Sequence, residues 1–175
     1  MAKSAQARKY IASAEAALAQ GDTVSAANAF RVAQRLAPED DDLRRRAQGA
    51  QERADAVLSD MYARQAAYEE KNAQWAEAAR SWMRVAKARP NDAEAHAHAA
   101  DALVKSSGDL HEARRLALAG CTLEPRSATY RVTLANVYRA AGLALNARRE
   151  LETAVQLAPH DDTIRAMMNR IESRG

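Results

Sequence analysis

The sequence contains few of the residues on which disulfide-rich, β-sheet and membrane-spanning proteins depend. Its 175 residues include one cysteine, four prolines, six glycines and one phenylalanine, and aromatic residues make up 5%. A single cysteine excludes an internal disulfide and a thiolate metal cage, as is usual in a reducing compartment. Scarce aromatic residues disfavour β-strands, which prefer aromatic and β-branched side chains. No apolar run approaches the roughly 18 residues of a membrane-spanning helix, and residues 1–20 lack a secretory signal, so we expect a cytoplasmic protein without membrane contact.

The residues that are abundant favour helices. Alanine, the strongest helix former, supplies about a quarter of the chain, and charged residues supply 28%. The net charge of +3 is spread along the sequence, which disfavours nucleic acid as the partner. This composition predicts an all-α fold in which small side chains let thin helical layers approach closely.

All four prolines occur in the same kind of sequence context. Each ends a run with helical apolar periodicity, and Asp or Ser follows within a few residues, as at a helix stop and a new N-cap. Pro90, Pro125 and Pro159 follow one another at a nearly constant interval, whereas the interval from Pro38 to Pro90 is longer. The constant interval matches the period of about 34 residues that is typical of arrays of helical hairpins.

Small residues align when the segments are superposed on their prolines. Twelve residues before each proline lie Ala26, Ala78, Ala113 and Ala147. Five residues further upstream lie Gly21, Ala73, Gly108 and Gly142. We expect the residue in this second column to end the first helix in a left-handed turn, and the alanine to allow close packing of the second. Eight residues before each proline lie Phe30, Trp82, Ala117 and Leu151, and three of these are large enough to fill the joint between hairpins.

These columns resemble the pattern of the tetratricopeptide repeat (TPR) family. The last repeat also resembles the family in its first helix, where Leu134, Ala135 and Tyr138 occupy the family's Leu, small and Tyr positions. The resemblance implies an all-α fold, a right-handed superhelical solenoid of four helix hairpins with an extended long helix after the first repeat and a C-terminal capping helix. It also implies a non-enzymatic scaffold that binds a protein or peptide segment in its concave groove.

We expect one TPR-like domain over residues 1–175, with every repeat built from two helices. The predicted divisions are repeat one at 4–38, a helical insertion at 40–57, repeats two to four at 58–159, and a capping helix at 160–173. The predicted helices span 4–20, 23–37, 40–72, 75–89, 92–107, 110–123, 127–141, 144–157 and 160–173.

The longest predicted helix, 40–72, contains the insertion that lengthens the first interval between prolines. The inserted stretch makes roughly five whole turns of α-helix, so the buried face of the helix keeps its direction. Its apolar positions form a narrow seam of heptad-like spacing: Leu43, Ala47, Ala50, Ala54, Val57 and Met61. Two interpretations are open. The seam packs on the second helix of repeat one, so that residues 1–58 form a capped hairpin, or it pairs with a second chain as a weak homodimer.

The family resemblance also implies which residues line the groove. They are Arg64 and Lys71 in repeat two, His98, Asp101 and Lys105 in repeat three, and Asn136 and Arg139 in repeat four, with Ile11, Glu15 and Leu18 in repeat one. The set is mostly basic and polar, which favours an acidic or carboxylate-terminated peptide as the ligand. The Lys, Asn and Arg pattern with which some family members hold chaperone tails is absent, which disfavours that ligand.

No residue pattern predicts catalysis, a metal or a cofactor. His96 and His98 lie two residues apart and point to different faces of a helix, so they do not chelate one ion. We interpret His96 as a half-buried packing residue and Cys121 as an inert one. The sequence contains no glycine-rich phosphate loop and no G-x-S-x-G or H-E-x-x-H motif. We therefore predict that the chain is not an enzyme.

Three other functions compete with groove binding. The long helix 40–72 is a candidate assembly module. Segments 68–71, 75–82 and 142–151 bear a weaker resemblance to the TPR tails of bacterial J-domain multidomain proteins, which would make the chain a module of a co-chaperone-like protein. The basic run Arg44 to Arg46, with Arg53, is a candidate for binding RNA or an acidic surface, and such binding weakens steeply with salt.

Overall fold

The computed structural model describes the backbone of residues 2–172 and the side chains of residues 5–170. Within this part of the chain there are nine α-helices and no strand, which confirms the predicted all-α class. The helices are α1 Ala2–Ala19, α2 Thr23–Leu36, α3 Asp41–Lys71, α4 Trp75–Ala88, α5 Ala93–Lys105, α6 Leu110–Leu123, α7 Ala128–Ala140, α8 Ala144–Leu157 and α9 Asp162–Glu172. Their ends lie within two residues of the predicted ones, except that residue 173 lies outside the described part. No helix described here is both long and apolar enough to cross a membrane.

Short polar side chains fix where most of the helices begin. Asp22 accepts a hydrogen bond from the backbone N–H of Ser25 at 2.9 Å, and Asp92 accepts one from Ala95 at 3.0 Å. Asp109 and Ser127 cap α6 and α7 in the same way. Each cap satisfies a backbone donor that has no partner inside the helix. Asp or Ser residues that follow all four prolines and two of the four hairpin turns therefore set these helix starts.

The turns inside the hairpins use the left-handed conformation, with one departure from the predicted column. Gly21, Ala73 and Gly142 have φ values of +75°, +55° and +72°. In the third hairpin the left-handed residue is Ser107, at +54°, and not the predicted Gly108. Gly108 is required for a different reason, because a Cβ there would lie 2.9 Å from Cδ2 of Leu103. The prediction for Gly108 was wrong because this hairpin, unlike the other three, has one residue between its left-handed residue and the N-cap of the next helix.

Contacts divide the chain into two compact units, Met1–Asp60 and Met61–Gly175. The core of the first unit combines one large aromatic side chain with alanines from three helices. Its buried members are Ala14 from α1, Ala27, Phe30 and Ala33 from α2, and Leu43, Ala47, Ala50 and Ala54 from α3. The guanidinium of Arg46 lies over the Phe30 ring at 4.9 Å and also forms a 2.6 Å ion pair with Glu15. The first half of α3 therefore covers the hairpin formed by α1 and α2.

The second unit has two layers of helices. The last turns of α3 form one layer with α5 and α7, while α4, α6 and α8 form the other. Between the layers lie alanines and a few larger residues, among them Trp82, Val85, Leu103, Leu116 and Leu134. Helix α9 closes the end of this unit, where Ile164 packs with Leu151 and Ala154 of α8. The expectation of one domain over residues 1–175 stays a prediction.

Candidate functional site

The seven predicted groove residues lie on α3, α5 and α7, which share one layer of the second unit. Arg64, Lys71, Lys105 and Arg139 are exposed, whereas His98, Asp101 and Asn136 are half-buried. Helices α5 and α7 contact each other directly, and a side-chain hydrogen bond joins α3 to α5. We call the exposed surface of this layer the α3–α5–α7 face.

A hydrogen-bonded group built on Glu70 holds His98 in place. One carboxylate oxygen of Glu70 accepts from Nε1 of Trp82 at 3.0 Å and pairs with Nδ1 of His98 at 2.9 Å. Because a carboxylate only accepts, Nδ1 of His98 carries the hydrogen. The His98 ring also stacks on Trp82, with ring centroids 4.7 Å apart and planes 21° apart. Its Nε2 lies 3.7 Å from the exposed carboxylate of Glu94. Both the position and the tautomer of His98 are therefore fixed by α3 and α4.

Two of the predicted groove residues neutralise each other. Nζ of Lys105 lies 2.6 Å from a carboxylate oxygen of Asp101, one helical turn away, and 4.2 Å from the centre of the Trp75 ring. The ion pair and the cation–π contact restrain the ammonium group. Lys105 and Asp101 therefore contribute little net charge to the face.

The remaining cations of the face are uncompensated. Within the described side chains, Arg64, Lys71 and Arg139 form no ion pair and no side-chain hydrogen bond. Among the acids near these cations, Glu70 binds Trp82 and His98, Asp101 binds Lys105, and Glu69 is buried. Glu94 is exposed and lies 3.7 Å from Nε2 of His98. The face therefore carries three unpaired cations, Arg64, Lys71 and Arg139, that are available to a ligand.

Sequence reasoning missed Glu70 and Glu94, which complete the surroundings of His98. Glu70 precedes His98 by 28 residues, so helical periodicity within one element does not relate them. Glu94 lies one turn before His98 on α5, and that spacing was a usable signal. His96, expected to be half-buried, is 7% exposed, and its Nε2 lies 3.0 Å from the carbonyl oxygen of Pro90.

The groove positions predicted in repeat one lie in the first unit and are occupied by its own contacts. Ile11 and Leu18 pack against the core around Phe30. Glu15 forms its ion pair with Arg46. We therefore leave these positions out of the candidate site.

The predicted seam on α3 divides into buried and exposed members. Leu43, Ala47, Ala50 and Ala54 are at most 6% exposed and belong to the core of the first unit. Val57 and Met61 are 44% and 59% exposed. Intrachain packing thus occupies most of the surface that a second chain would have used.

The basic run on α3 is largely neutralised by neighbouring carboxylates. Arg44 lies 2.7 Å from Asp41, Arg45 lies 3.5 Å from Asp42, and Arg46 lies 2.6 Å from Glu15. Arg53 is exposed. This pairing lowers the excess positive charge that phosphate binding would require.

Cys121 lies buried in the last turn of α6. Burial raises the pKa of its thiol, the nearby Arg131 lowers it, and Glu150 raises it further. A raised pKa disfavours the nucleophilic thiolate. Within the described residues no group of three His, Cys, Asp or Glu side chains is arranged to hold a metal ion.

Comparison with known proteins finds similar solved structures but no matching sequence family. No family model and no curated protein matches the chain. The TPR domain of Arabidopsis OM64 matches with a TM-score of 0.62 at 13% identity, covering 68% of this chain and 98% of that one. The second TPR domain of human RPAP3, in complex with an HSP70 peptide, matches with a TM-score of 0.62 at 16% identity, covering 67% and 98%. Residues 41 to the end of MamA from Desulfovibrio magneticus match with a TM-score of 0.59 at 17% identity, covering 96% and 84%.

The chain therefore has the fold of TPR domains, as the spacing of its prolines and alanines indicated. At these identities the likeness establishes the fold alone. These structures give no support to the weaker resemblance to J-domain protein tails.

Proposed function

We propose that the chain is a non-enzymatic protein-interaction scaffold that binds an acidic peptide segment on the α3–α5–α7 face. The observation that carries the proposal is the presence of three unpaired cations, Arg64, Lys71 and Arg139, on helices of one layer. A peptide carboxylate that reaches them gains charge-assisted hydrogen bonds without breaking an existing ion pair.

The fixed group around Glu70 supports this proposal. Trp82 and His98 restrain the Glu70 carboxylate through two hydrogen bonds. A surface whose side chains are already ordered loses less conformational entropy when a ligand binds. The proposed face is therefore partly preorganised before the peptide arrives.

Proteins of the same fold bind acidic peptides. The second TPR domain of human RPAP3 is in complex with the HSP70 peptide SGPTIEEVD, and the first TPR of Spaghetti (RPAP3) is bound to the HSP90 peptide SRMEEVD. The chaperone-specific residue pattern is absent from the present chain, so we propose the chemical class of the ligand, an acidic peptide, and no individual partner.

The experiment measures peptide binding by fluorescence anisotropy. The probe is a labelled decapeptide of alternating Glu and Ala with a free carboxyl terminus, and matched peptides carry Gln or Lys in place of Glu. We expect the full chain to prefer the Glu peptide and the triple variant Arg64→Gln, Lys71→Gln, Arg139→Gln to bind it at least about tenfold more weakly.

A second triple variant controls for net charge. Lys87→Gln, Arg126→Gln and Arg149→Gln also remove three exposed cations of the second unit, from outside α3, α5 and α7. This control should bind the Glu peptide within about twofold of the unmodified chain, since exposed charges beyond a Debye length are screened. Equal losses of affinity for the Glu peptide in the two triple variants would show that overall charge causes the effect, which would overturn the proposal.

A further inference from the structure

A cleft between α6 and α7 lies apart from the predicted groove residues. It encloses about 310 Å³ and is lined by Leu110, His111, Arg114, Val137, Tyr138, Ala141 and Leu143. Five of these seven residues are apolar or aromatic. The other two, His111 and Arg114, both lie on α6. A volume at the lower end of the range for ligand pockets suits one or two side chains of a protein partner.

At this cleft, Leu143 differs from the residues that follow the turn in the other hairpins. The residue after the turn is Asp22 in the first hairpin, Gln74 in the second and Asp109 in the third, but leucine in the fourth. As the N-cap of α8, Leu143 makes no side-chain hydrogen bond, and it is 42% exposed. A leucine here lacks the stabilising hydrogen bond of a polar cap, and much of its side chain stays exposed. The backbone N–H of Leu143 donates to the carbonyl oxygen of Tyr138 at 2.9 Å in the turn that ends α7, and an apolar contact between residues in these two positions is common. The exposed part of the leucine side chain remains available to a ligand.

Leu145, two residues later, is a second exposed leucine at a position where the other hairpins have different residues. It is 75% exposed, the largest exposed fraction among the big apolar side chains of the described residues. The corresponding residues of the other hairpins are Val24, Ala76 and His111. Two exposed leucines in one turn mark a local apolar surface at the start of α8.

The cleft also carries one uncompensated charge. Arg114 is exposed and has no ion pair among the described side chains. The acids closest to it in sequence are occupied: Glu112 binds Arg115 through two contacts of 2.6 and 2.8 Å, and Asp109 caps α6. An acidic ligand is therefore the electrostatic complement of this surface.

We propose that this cleft is a second protein-docking site, which takes an acidic segment that inserts a leucine-sized side chain beside Leu143 and places a carboxylate at Arg114. The apolar lining selects the inserted side chain, and the unpaired guanidinium selects its acidic neighbour. The site shares α7 with the α3–α5–α7 face, but none of its lining residues is a predicted groove residue.

The test uses the full chain, isotope-labelled for amide NMR, with an end-blocked peptide of sequence Glu-Leu-Leu-Glu-Glu-Leu-Leu-Glu. Blocking both ends removes the terminal carboxylate. We expect saturable shifts of the Arg114, Tyr138 and Leu143 amides, with weaker binding when Lys replaces Glu or Ser replaces Leu. The same shifts should persist in the triple variant Arg64→Gln, Lys71→Gln, Arg139→Gln, which separates this site from the proposed peptide face.

Leu143→Ser is the decisive variant, because serine removes the apolar side chain and is itself a good N-cap. We expect thermal stability to be kept, because the new cap offsets the lost apolar contact with Tyr138, while the peptide binds at least about tenfold more weakly. Arg114→Gln should remove the preference for the Glu peptide over the Lys peptide. Arg35→Gln, which removes an exposed cation of the first unit, should change neither.

Three results would overturn the proposal. The first is an absence of shifts at the cleft amides at millimolar peptide, and the second is unchanged affinity in Leu143→Ser. The third is concentration-dependent shifts of the same amides without peptide, which would identify a second copy of the chain as the occupant.

Discussion

At the residue scale, alanine sets how closely the helices approach. The four alanines of the aligned column, Ala26, Ala78, Ala113 and Ala147, are at most 1% exposed. The packing is equally close at Gly120, where an added Cβ would lie 3.3 Å from the carbonyl oxygen of Ala93. Burial of such small side chains contributes little per residue, so stability depends on the few large ones. The sequence pattern identified this alanine column correctly because close packing excludes larger residues at every repeat.

Ala73 is a residue in an unfavourable backbone conformation, and its replacement gives the first prediction. Its φ of +55° is in the left-handed region, which costs a residue with a Cβ roughly 1 kcal/mol. Ala73→Gly relieves that cost but adds freedom to the unfolded chain, so we expect a net gain of about 0.5 kcal/mol in chemical denaturation. Gly142→Ala, the reverse change at a φ of +72°, should lose a similar amount. A loss of stability in Ala73→Gly would contradict this account of the turn.

At the element scale, residues close in sequence determine where each helix ends, but they do not determine which helices contact each other. The prolines and the Asp caps lie within a few residues of the ends they define, so the sequence alone locates the described helices within two residues. The bond between Glu70 and His98 joins residues 28 positions apart. Predicting it requires the crossing of α3 and α5, which periodicity does not give. For the same reason the resemblance named His98 as a groove residue without revealing the carboxylate that orients it.

Helix α4 begins without a side-chain cap, and this gives a prediction for the element. Gln74 has φ −83° and ψ 65°, close to the −83° and 82° of Asp22, yet it makes no capping hydrogen bond. Gln74→Asp places an acceptor at the first N–H groups and a negative charge at the helix N-terminus, so we expect a gain of about 0.5–1 kcal/mol, measured by the midpoint of urea unfolding. Asp22→Ala, which removes an existing cap, should lower the midpoint, and equal midpoints for Gln74→Asp and the unmodified chain would refute the reasoning.

At the scale of the whole molecule, the cores of the two units share no residue. The first is centred on Phe30 and Leu43, and the second has a main cluster around Trp82 and Leu116. Helix α3 supplies Leu43 to one core and Ala66 to the other. The sequence anticipated the insertion that lengthens this helix, because the inserted stretch completes whole helical turns. It did not decide whether the seam of α3 packs inside the chain, since a narrow alanine stripe suits either partner.

Separate cores predict separate responses to cavity-forming substitutions. Phe30 is 1% exposed, so Phe30→Ala should cost about 3–5 kcal/mol, a large share of the stability of one small core. Hydrogen exchange should then accelerate in α2 and leave the most protected amides of α6 within about threefold. Leu116→Ala, also at a residue 1% exposed, should act in reverse by accelerating α6 and sparing α2. Equal acceleration of both helices by either variant would show that the chain unfolds as one cooperative unit.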